Sequence, residues 1–270
     1  MNATTKGRAL VTGASTGIGA VYADRLAKQG YDLLLTARST DRLRSLADSI
    51  GAETGRSIDV LPADLTNSRD LRIVEDILRT DQTVTMLVNN AGIGATTPLL
   101  ETDVDSMESM IDLNITSLMR LAYAAAPGFA ARSRGAIVNV GSVVALSPEA
   151  LNGVYSGTKA FVLAFSQSLH HELSGRGVRI QAVLPGATAT EFWGAAGTSV
   201  EQLPPEIVMS AEALVDAALV GFERGELVTI PALPDAADWD RYEAARTAMG
   251  PRLSRATPAA RYTSICDLAG

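Results

Sequence analysis

The sequence is poor in the residues from which disulfides and many metal sites are built. It contains one cysteine, Cys266, so no internal disulfide can form, and we interpret this residue as an incidental thiol because neither histidine lies near it. The two histidines, His170 and His171, are adjacent in a segment of helical spacing, so their side chains point in different directions and cannot share a metal ion. The sequence therefore predicts no metal site.

Basic residues and long apolar runs are also scarce. The chain has 30 acidic and 23 basic residues and a net charge of −7, which argues against nucleic acid or an anionic membrane surface as a partner. The only lysines are Lys6, Lys28 and Lys159, so a lysine within a motif is a strong signal here. No apolar run reaches about 18 residues and the first residues lack the apolar run of a signal peptide, so we expect a cytoplasmic protein with no membrane segment.

Apolar runs of strand length alternate with longer segments of helical spacing. The runs are almost continuously apolar, as in strands buried on both faces, and occupy residues 8–12, 32–36, 57–61, 86–89, 136–140, 179–184 and 227–230. The longest helical segments occupy residues 104–132, with a bend expected near Pro127, 153–174 and 211–224. This alternation predicts an α/β fold, a doubly wound parallel sheet of about seven strands with helices on both faces, in a single domain over residues 1–270.

Two regions interrupt the alternation. Residues 186–210 hold Gly, Pro and Thr together with Phe192 and Trp193, and they follow the carboxyl end of a predicted strand, where ligands bind in such sheets. We interpret them as a mobile substrate lid; an ordinary surface loop anchored by a few large side chains is the alternative. Residues 231–270 form an irregular C-terminal extension with a helix expected at 236–249, and the sequence assigns no role to it.

A glycine-rich turn, TGASTGIG at residues 12–19, separates the first predicted strand from its helix. Glycine permits a tight turn and lets the backbone approach a pyrophosphate, which then sits at the amino terminus of the helix. The TGxxxGxG spacing differs from the more common GxGxxG pattern of dinucleotide-binding turns. Its context of strand, turn and helix nevertheless indicates a nucleotide phosphate site.

Tyr155 and Lys159 are four residues apart in a helical segment, so their side chains share one face. A cation beside a phenol favours the phenolate, and acid–base catalysis works best when the pKa of the catalytic group is near the working pH. Lowering a phenol pKa from ~10 to ~7 takes roughly 4 kcal/mol, more than one exposed cation supplies. A catalytic pair therefore requires a partly desolvated site or a second cation such as an oxidised nicotinamide; an exposed surface pair is the alternative.

Several motifs occur together in the order and at the spacings of one known family. They are TGASTGIG at 12–19, Asp64, NNAG at 89–92, Asn114, Ser142, YSGTK at 155–159 and PG at 185–186. Over roughly residues 6–230 the chain thus resembles the short-chain dehydrogenase/reductase family. The resemblance implies a Rossmann-type NAD(P)-binding domain and an NAD(P)-dependent oxidoreductase that acts on CH–OH and C=O groups.

The resemblance also implies a role for each of four catalytic residues. Tyr155 is the general acid and base, and Lys159 lowers its pKa and binds the nicotinamide ribose. Ser142 follows a predicted strand and hydrogen-bonds the substrate oxygen, where a turn or cap serine is the alternative. Asn114 holds a water in a proton relay; a bend in its helix is the alternative reading of this asparagine.

Cofactor preference is indicated at the end of the second predicted strand. Sites for NAD place an acidic residue there, whereas this chain has Arg38 and Ser39, which suit the 2′-phosphate of NADP. We therefore expect NADP(H) to be preferred over NAD(H), with a solvated arginine as the alternative. Asp64 is expected to bind adenine, or else to cap the next helix, and Thr188 to contact the nicotinamide carboxamide.

The full set of expected cofactor-binding residues follows the carboxyl ends of the predicted strands. It comprises Gly13, Ser15, Thr16, Gly17, Ile18, Gly19, Arg38, Ser39, Asp64, Leu65, Asn90, Ala91, Gly92, Tyr155, Lys159, Pro185, Gly186 and Thr188. Ser15 lies within the glycine turn and is expected to reach the ribose phosphate. For Asn90 we favour a mainly structural role that supports the central sheet.

The leading functional hypothesis is an NADPH-dependent carbonyl reductase, or the reverse alcohol oxidation, on a small and mostly apolar ketone or secondary alcohol. The expected substrate-binding residues are Ser142, Leu146, Asn152, Tyr155, Phe192 and Trp193, with Gly94 as a further wall. A 3-oxoacyl-carrier-protein reductase is one alternative, although it needs a basic docking patch. A non-catalytic NADPH-sensing regulator is another. Apolar helix faces, as in this family, suggest a homodimer or homotetramer.

Overall fold

The computed structural model describes residues 6–262, and its centre is a parallel sheet of seven strands. These are β1 (Arg8–Thr12), β2 (Asp32–Ala37), β3 (Ile58–Pro62), β4 (Val84–Asn89), β5 (Gly135–Val140), β6 (Val178–Val183) and β9 (Val228–Thr229). The order across the sheet is β3-β2-β1-β4-β5-β6-β9. A separate two-stranded sheet pairs β7 (Thr188–Ala189) with β8 (Met209–Ser210). The predicted parallel sheet of about seven strands is confirmed.

Helices cover both faces of the sheet. They are α1 (Gly17–Lys28), α2 (Thr40–Thr54), α3 (Ser68–Thr80), α4 (Val104–Ile111), α5 (Leu118–Ala131), α6 (Gly153–Leu173), α7 (Phe192–Ala195), α8 (Ala211–Glu223) and α9 (Ala236–Met249). One buried cluster joins α1, α2 and α8 to the sheet, and a second joins α3, α5 and α6 to its other face. Because both faces are covered, each central strand is almost continuously apolar, as the sequence indicated.

The predicted long helix at 104–132 is present as a continuous helical segment, residues 104–131, but it contains a π-helical turn. This turn, Asp112–Ser117, separates α4 from α5. Pro127 lies inside α5, which continues to Ala131, so the interruption is not at the proline. The N–H that proline lacks would have bonded to the carbonyl of residue 123, and Tyr123 is on an exposed turn at 67% exposure, where water can replace that bond. π-helical turns are frequent at functional sites, and this one carries Asn114.

The chain divides into two compact units, the first ending at Ala232 and the second beginning at Leu233. The first contains the whole seven-stranded sheet and forms a single Rossmann-type domain. The second contains α9, which is capped by Asp235 and carries stacked Trp239 and Tyr242 rings with centres 5.4 Å apart. Cys266 lies outside the described residues. Between residues 6 and 262 no helix combines the length and the apolar character needed to cross a membrane.

Candidate active site

A cavity of about 820 Å³ lies at the carboxyl edge of the sheet. The strand order places the turns after β2 and β3 at one end of this edge, here called the β2–β3 end, and those after β5 and β6 at the other, the β5–β6 end. The predicted site residues that line the cavity are Gly13, Ser15, Thr16, Gly17, Ile18, Arg38, Ser39, Asp64, Leu65, Asn90, Ala91, Gly92, Ser142, Tyr155, Lys159, Pro185, Gly186, Thr188, Phe192 and Trp193.

The glycine turn between β1 and α1 leaves open backbone in the middle of the cavity. Gly13 and Gly17 have φ of +63° and +55°, and a Cβ on Gly19 would lie 2.3 Å from the carbonyl oxygen of Gly13. Side chains are therefore excluded at these positions by conformation or by space. Gly19 packs against the carbonyl group of Gly13 and does not line the cavity.

The start of α1 differs from most other helix starts in the structure. Helices α3, α4, α6, α8 and α9 each have a side chain that accepts a hydrogen bond from a first-turn N–H. Thr16, the N-cap of α1, makes no such bond within the described chain, and the first turn of α1 holds no acidic residue. Because Thr16 and the first residues of α1 line the cavity, these N–H groups form a site suited to an anion such as a pyrophosphate.

Asn90 fastens the glycine turn to the end of β4. Its side-chain amide donates hydrogen bonds to the carbonyl oxygens of Thr12, at 2.9 Å, and Gly13, at 3.2 Å. The hydroxyl of Thr12 accepts from the backbone N–H groups of Asn90 and Ala91, both at 2.9 Å. These bonds give Asn90 a structural role, and the residue also lines the cavity.

The β2–β3 end carries Arg38, Ser39 and Asp64. Burial raises the pKa of Asp64, but hydrogen bonds from the hydroxyl and backbone N–H of Thr66 and the charge of Arg38 lower it overall, so the carboxylate is ionised at neutral pH. Asn67, not Asp64, caps α3, so Asp64 does not serve as the cap of that helix. Ser39 is the N-cap of α2, and within the described chain its hydroxyl makes no capping bond.

Tyr155 and Lys159 project from one face of α6 into the β5–β6 end of the cavity. They are 5% and 7% exposed, and the Lys159 Nζ lies 5.8 Å from the centre of the Tyr155 ring. Nζ donates a hydrogen bond of 3.0 Å to the carbonyl oxygen of Val140 at the end of β5. The amine is thus held between the tyrosine and the sheet edge.

Burial controls the protonation of both side chains. It raises the pKa of Tyr155 to about 12, an effect that a hydrogen bond with Ser142 only partly opposes. It lowers the pKa of Lys159 to about 8. In the protein alone, therefore, Lys159 does not lower the phenol pKa below its ordinary value, and Tyr155 is a neutral proton donor at pH ~7.

Asn114, on the π-helical turn, connects the segment after β4 to α6. Its amide donates to the carbonyl oxygen of Ile93 at 2.8 Å and to the hydroxyl of Thr158 at 3.1 Å, and its Oδ1 accepts from the Ile93 N–H at 3.0 Å. Thr158 in turn donates to the carbonyl oxygen of Tyr155 at 2.7 Å. Both amide hydrogens are used within the protein, so a relay water could bond only to Oδ1.

Gly92 lies beside both Asn114 and Lys159. A Cβ at this position would lie 3.1 Å from the Asn114 Oδ1 and 3.6 Å from the Lys159 Nζ. Gly92 lines the cavity, whereas Asn114 does not. The predicted relay stays a prediction.

Residues 186–210 cross the cavity rather than extend away from it. Thr190 lies over the glycine turn, where a Cβ on Gly17 would be 3.1 Å from its methyl carbon. Trp193 donates from Nε1 to the carbonyl oxygen of Thr188 at 2.8 Å. Glu191 forms an ion pair of 2.6 Å with Arg42 on α2. The segment thus contacts elements from both ends of the cavity, as a lid would; its movement stays a prediction.

Phe192 attaches this segment to the β5–β6 end. Its ring centre is 5.8 Å from that of Tyr155, and a Cβ on Gly94 would lie 2.1 Å from its Cζ. The ring therefore occupies the space that a side chain at position 94 would need. Thr96 adds two bonds to the carbonyl oxygen of Ala196, from its N–H at 3.1 Å and its hydroxyl at 2.9 Å.

Comparison with known proteins assigns this geometry to a family. The family model described as short chain dehydrogenase matches residues 7–200. The chain belongs to the short-chain dehydrogenase family. The prediction of this family is confirmed, and so is the predicted class of enzyme, since the family is one of oxidoreductases.

Two solved structures resemble this dehydrogenase over nearly its whole length. A short-chain dehydrogenase from Sphingobium yanoikuyae in complex with NADPH is 49% identical, with 95% of this chain and 99% of that chain covered and a TM-score of 0.92. The bulky-bulky ketone specific alcohol dehydrogenase from Comamonas testosteroni is 43% identical, with 96% and 100% covered and a TM-score of 0.89.

A curated relative matches over a smaller part of its own length. The very-long-chain 3-oxoacyl-CoA reductase of Anas platyrhynchos is 34% identical over 209 residues, which cover 75% of this dehydrogenase. The match covers 66% of that reductase, so this chain spans just under two thirds of it.

Three residues predicted for the substrate pocket, Gly94, Leu146 and Asn152, do not line the cavity of the dehydrogenase. Leu146 is half-buried outside it. Asn152 caps α6, because its Oδ1 accepts from the N–H groups of Val154, at 2.9 Å, and Tyr155, at 3.4 Å. Its amide donates to the carbonyl oxygen of Thr97 at 2.7 Å. Asn152 thus fixes the start of the helix that carries Tyr155.

The structure also adds lining residues that the sequence did not identify. At the β5–β6 end, the apolar residues Ile93, Val144 and Leu151 join Phe192, and Leu113 also lines the cavity. At the β2–β3 end, Arg42 lines the cavity together with Arg38. The apolar residues carry no motif and depend on the packing of distant segments.

Proposed function

We propose that the protein is an NADPH-dependent carbonyl reductase, or alcohol dehydrogenase in reverse, that acts on ketones or secondary alcohols with apolar substituents. The observation that carries this proposal is the buried Tyr155 phenol, near Ser142 and beside Lys159, in a cavity that reaches the open glycine turn. The turn and the uncapped start of α1 fit the pyrophosphate of a nicotinamide dinucleotide.

The bound nicotinamide would supply the hydride that the carbonyl carbon receives in reduction. Tyr155 donates its hydroxyl proton to the carbonyl oxygen, and Ser142 donates a hydrogen bond to the same oxygen as negative charge develops there. The result is one alcohol and one tyrosine phenolate. In alcohol oxidation the phenolate removes the hydroxyl proton instead.

Lys159 stabilises the phenolate that the proton transfer leaves behind. Its amine is cationic at pH ~7, since burial lowers its pKa only to about 8. In a site where both groups are buried, a cation at this distance interacts with the phenolate more strongly than it would in water. A water bonded to the Asn114 Oδ1 would then be part of the path that returns the proton to Tyr155.

The preference for NADP(H) is supported at the β2–β3 end. Arg38 lines the cavity after β2, where the chain has no acidic residue, and Ser39 has a hydroxyl that does not cap α2 within the described chain. A guanidinium binds a phosphate through paired hydrogen bonds. The similar structure from Sphingobium yanoikuyae is a complex with NADPH.

Apolar ketones are supported by the lining of the β5–β6 end. Ile93, Val144, Leu151 and Phe192 line the cavity and pack with Tyr155 in one apolar cluster, an environment that favours apolar substituents on a carbonyl. The similar enzyme from Comamonas testosteroni is specific for bulky-bulky ketones. We therefore extend the expected substrates from small ketones to ketones with two sizeable substituents.

Reduction of a 3-oxoacyl thioester is the second candidate, and the 34% identical very-long-chain 3-oxoacyl-CoA reductase favours it. The 3-oxoacyl group would place its ketone between Tyr155 and Ser142 in the same way. The two candidates differ in the rest of the substrate, since a carrier protein or coenzyme A would need a basic surface. The net charge of −7 argues against such a surface.

A homodimer or homotetramer is supported by an aromatic surface on α5 and α6. The rings of Tyr123, Phe165 and Phe161 stack in sequence with centres 6.3 and 5.4 Å apart, and Tyr123 is 67% exposed. Exposed aromatic groups of this kind are typical of interfaces.

The expected cytoplasmic location stays a prediction.

The proposed activity can be tested with a graded set of ketones, 3-oxoacyl thioesters and secondary alcohols, each assayed with NADPH and with NADH. We expect oxidation of NADPH with ketones that carry two apolar substituents, at higher kcat/KM than with 3-oxoacyl thioesters. Thioester turnover alone would favour the second candidate. Absence of turnover with every compound, in a protein that binds NADPH, would instead favour the sensing regulator.

A further inference from the structure

Arg42 and Glu191 form an ion pair across the mouth of the cavity. An Arg42 NH group lies 2.6 Å from the Glu191 Oε2, and the two side chains are 54% and 67% exposed. Arg42 belongs to α2, whereas Glu191 belongs to the segment that crosses the cavity, and 149 positions separate them in the sequence. Both line the cavity, so their contact lies at the site and not on a remote surface.

The position of Arg42 indicates that it requires an anionic partner. It lies in the first turn of α2, where the helix dipole disfavours a positive charge. Arg38 precedes the N-cap of the same helix, and both arginines line the cavity. Two cations held together at the start of a helix suit a ligand with more than one negative charge.

The ion pair with Glu191 is weak enough to be exchanged for such a ligand. Exposed pairs of single charges contribute about 0–1 kcal/mol, because water screens them and both side chains lose freedom. A phosphate monoester carries a charge of about −1.5 to −2 and three acceptor oxygens, so it is the stronger partner for a guanidinium. A phosphate that arrived while Glu191 kept its place would also be repelled by that carboxylate.

We propose that Arg42 binds the 2′-phosphate of NADP(H) together with Arg38, and that Glu191 competes with the phosphate for Arg42. This inference rests on the proposed preference for NADP(H). Glu191 thereby weakens the binding of a 2′-phosphate without any effect on ligands that lack one. Since Glu191 is next to Phe192, binding of the phosphate also releases one attachment of the segment that covers the β5–β6 end.

Adenosine 2′,5′-bisphosphate and adenosine 5′-monophosphate test this proposal without turnover, because they differ only in the 2′-phosphate. Their dissociation constants are measured by titration calorimetry for Arg42→Gln, Glu191→Gln and the double variant. We expect Arg42→Gln to weaken the bisphosphate about tenfold and Glu191→Gln to tighten it about threefold. The monophosphate should stay unchanged, and Glu191→Gln should tighten the bisphosphate less once Arg42 is replaced, because only the direct repulsion by the carboxylate is then removed.

Matched controls come from the same two elements. Arg44→Gln removes an exposed charge from α2, and Glu206→Gln removes one from the segment 186–210; neither residue lines the cavity. Both should leave the affinity for the bisphosphate unchanged, which excludes a general effect of net charge. Glutamine at 42 and 191 keeps the side chain polar at an exposed position, so the fold is retained.

Two failures can be told apart. If Arg42→Gln and Glu191→Gln bind the bisphosphate as the unmodified protein does, while Arg38→Gln binds it more weakly, the proposal for Arg42 is wrong and the NADP(H) preference stands. If the unmodified protein binds both nucleotides equally, the preference itself is wrong, and the proposal for Arg42 is wrong with it.

Discussion

At the β5–β6 end of the cavity the charged groups are buried, whereas at the β2–β3 end they are in contact with water. Tyr155 and Lys159 are 5% and 7% exposed, while the side chains of Arg42 and Glu191 are 54% and 67% exposed. Desolvation raises the pKa of Tyr155 and lowers that of Lys159. Arg42 and Glu191 instead neutralise each other at the surface.

The difference matches the two roles proposed above, proton transfer at the β5–β6 end and discrimination between nucleotides at the β2–β3 end. A buried phenol or amine has no water to replace a lost partner, so its protonation and its neighbours decide whether a proton can be transferred. Exposed charges are screened and exchange partners at low cost, which suits recognition of one nucleotide over another. Substitutions should therefore have large effects at the β5–β6 end and smaller, salt-dependent effects at the β2–β3 end.

The largest effect is expected for Tyr155→Phe. Loss of the hydroxyl removes the proton donor and leaves the developing alkoxide with Ser142 alone, so kcat should fall by a factor of about 100 or more. Affinity for NADPH should hardly change, which calorimetry can check beside the steady-state assay. Tyr123→Phe is the control, because that exposed tyrosine lies outside the cavity. Unaltered turnover in the Tyr155 variant would remove the phenol from the mechanism.

The next effect concerns the pH dependence of stability. Burial lowers the pKa of Lys159 to about 8, so above that pH the folded protein has lost a proton that the unfolded chain retains up to its ordinary value of 10.5. The free energy of unfolding, measured relative to Lys159→Met, should therefore rise with pH, by about 2 kcal/mol between pH ~8 and ~9.5. Urea unfolding of the unmodified protein and of Lys159→Met, both without cofactor, measures this difference in free energy. Tyr155 is present in both proteins, so the contribution of its own titration cancels.

Lys28→Met provides the contrast for this measurement. Hydrogen bonds to Glu53 and Asp24 raise the pKa of Lys28, so its charge is kept throughout the same pH range. The difference in unfolding free energy between this variant and the unmodified protein should be constant there. A constant difference for Lys159→Met as well would show that the Lys159 amine is solvated, and the comparison between the two ends of the cavity would fail.

Much of the fold and the motif residues could be predicted because their signals are local. Strands such as β4 and β5 are buried on both faces, so their sequences are continuously apolar, and one helical turn sets the separation of Tyr155 and Lys159. The role of Asn152 could also have been predicted from the sequence. An asparagine directly before a helix is a common N-cap, and that pattern indicates a cap better than a substrate contact.

Other parts of the site depend on contacts between distant segments and had no local signal. Asn114 bonds to the backbone of Ile93 and to Thr158 on α6, and Arg42 meets Glu191 from the far side of the sheet edge. Arg42 taken alone suits an ordinary exposed helix, and Asn114 was identified only through the resemblance to the family, without its partners. Their importance follows only from which segments approach each other, and a single sequence does not show that.

The smallest effect is expected for Gly94→Ala, which tests how the lid meets the β5–β6 end. A Cβ there would lie 2.1 Å from the Phe192 Cζ, and because that atom is the far end of a side chain, the ring can turn while the fold is kept. Displaced toward Tyr155, the ring narrows the cavity, so KM for a ketone with two large substituents should rise about threefold, and less for a small ketone. Gly194→Ala adds a methyl group within the same lid where nothing lies within 4 Å, so it should change neither value. A lower KM for the larger ketone would mean that Phe192 moves out of the cavity and that its ring restricts the entry of substrate.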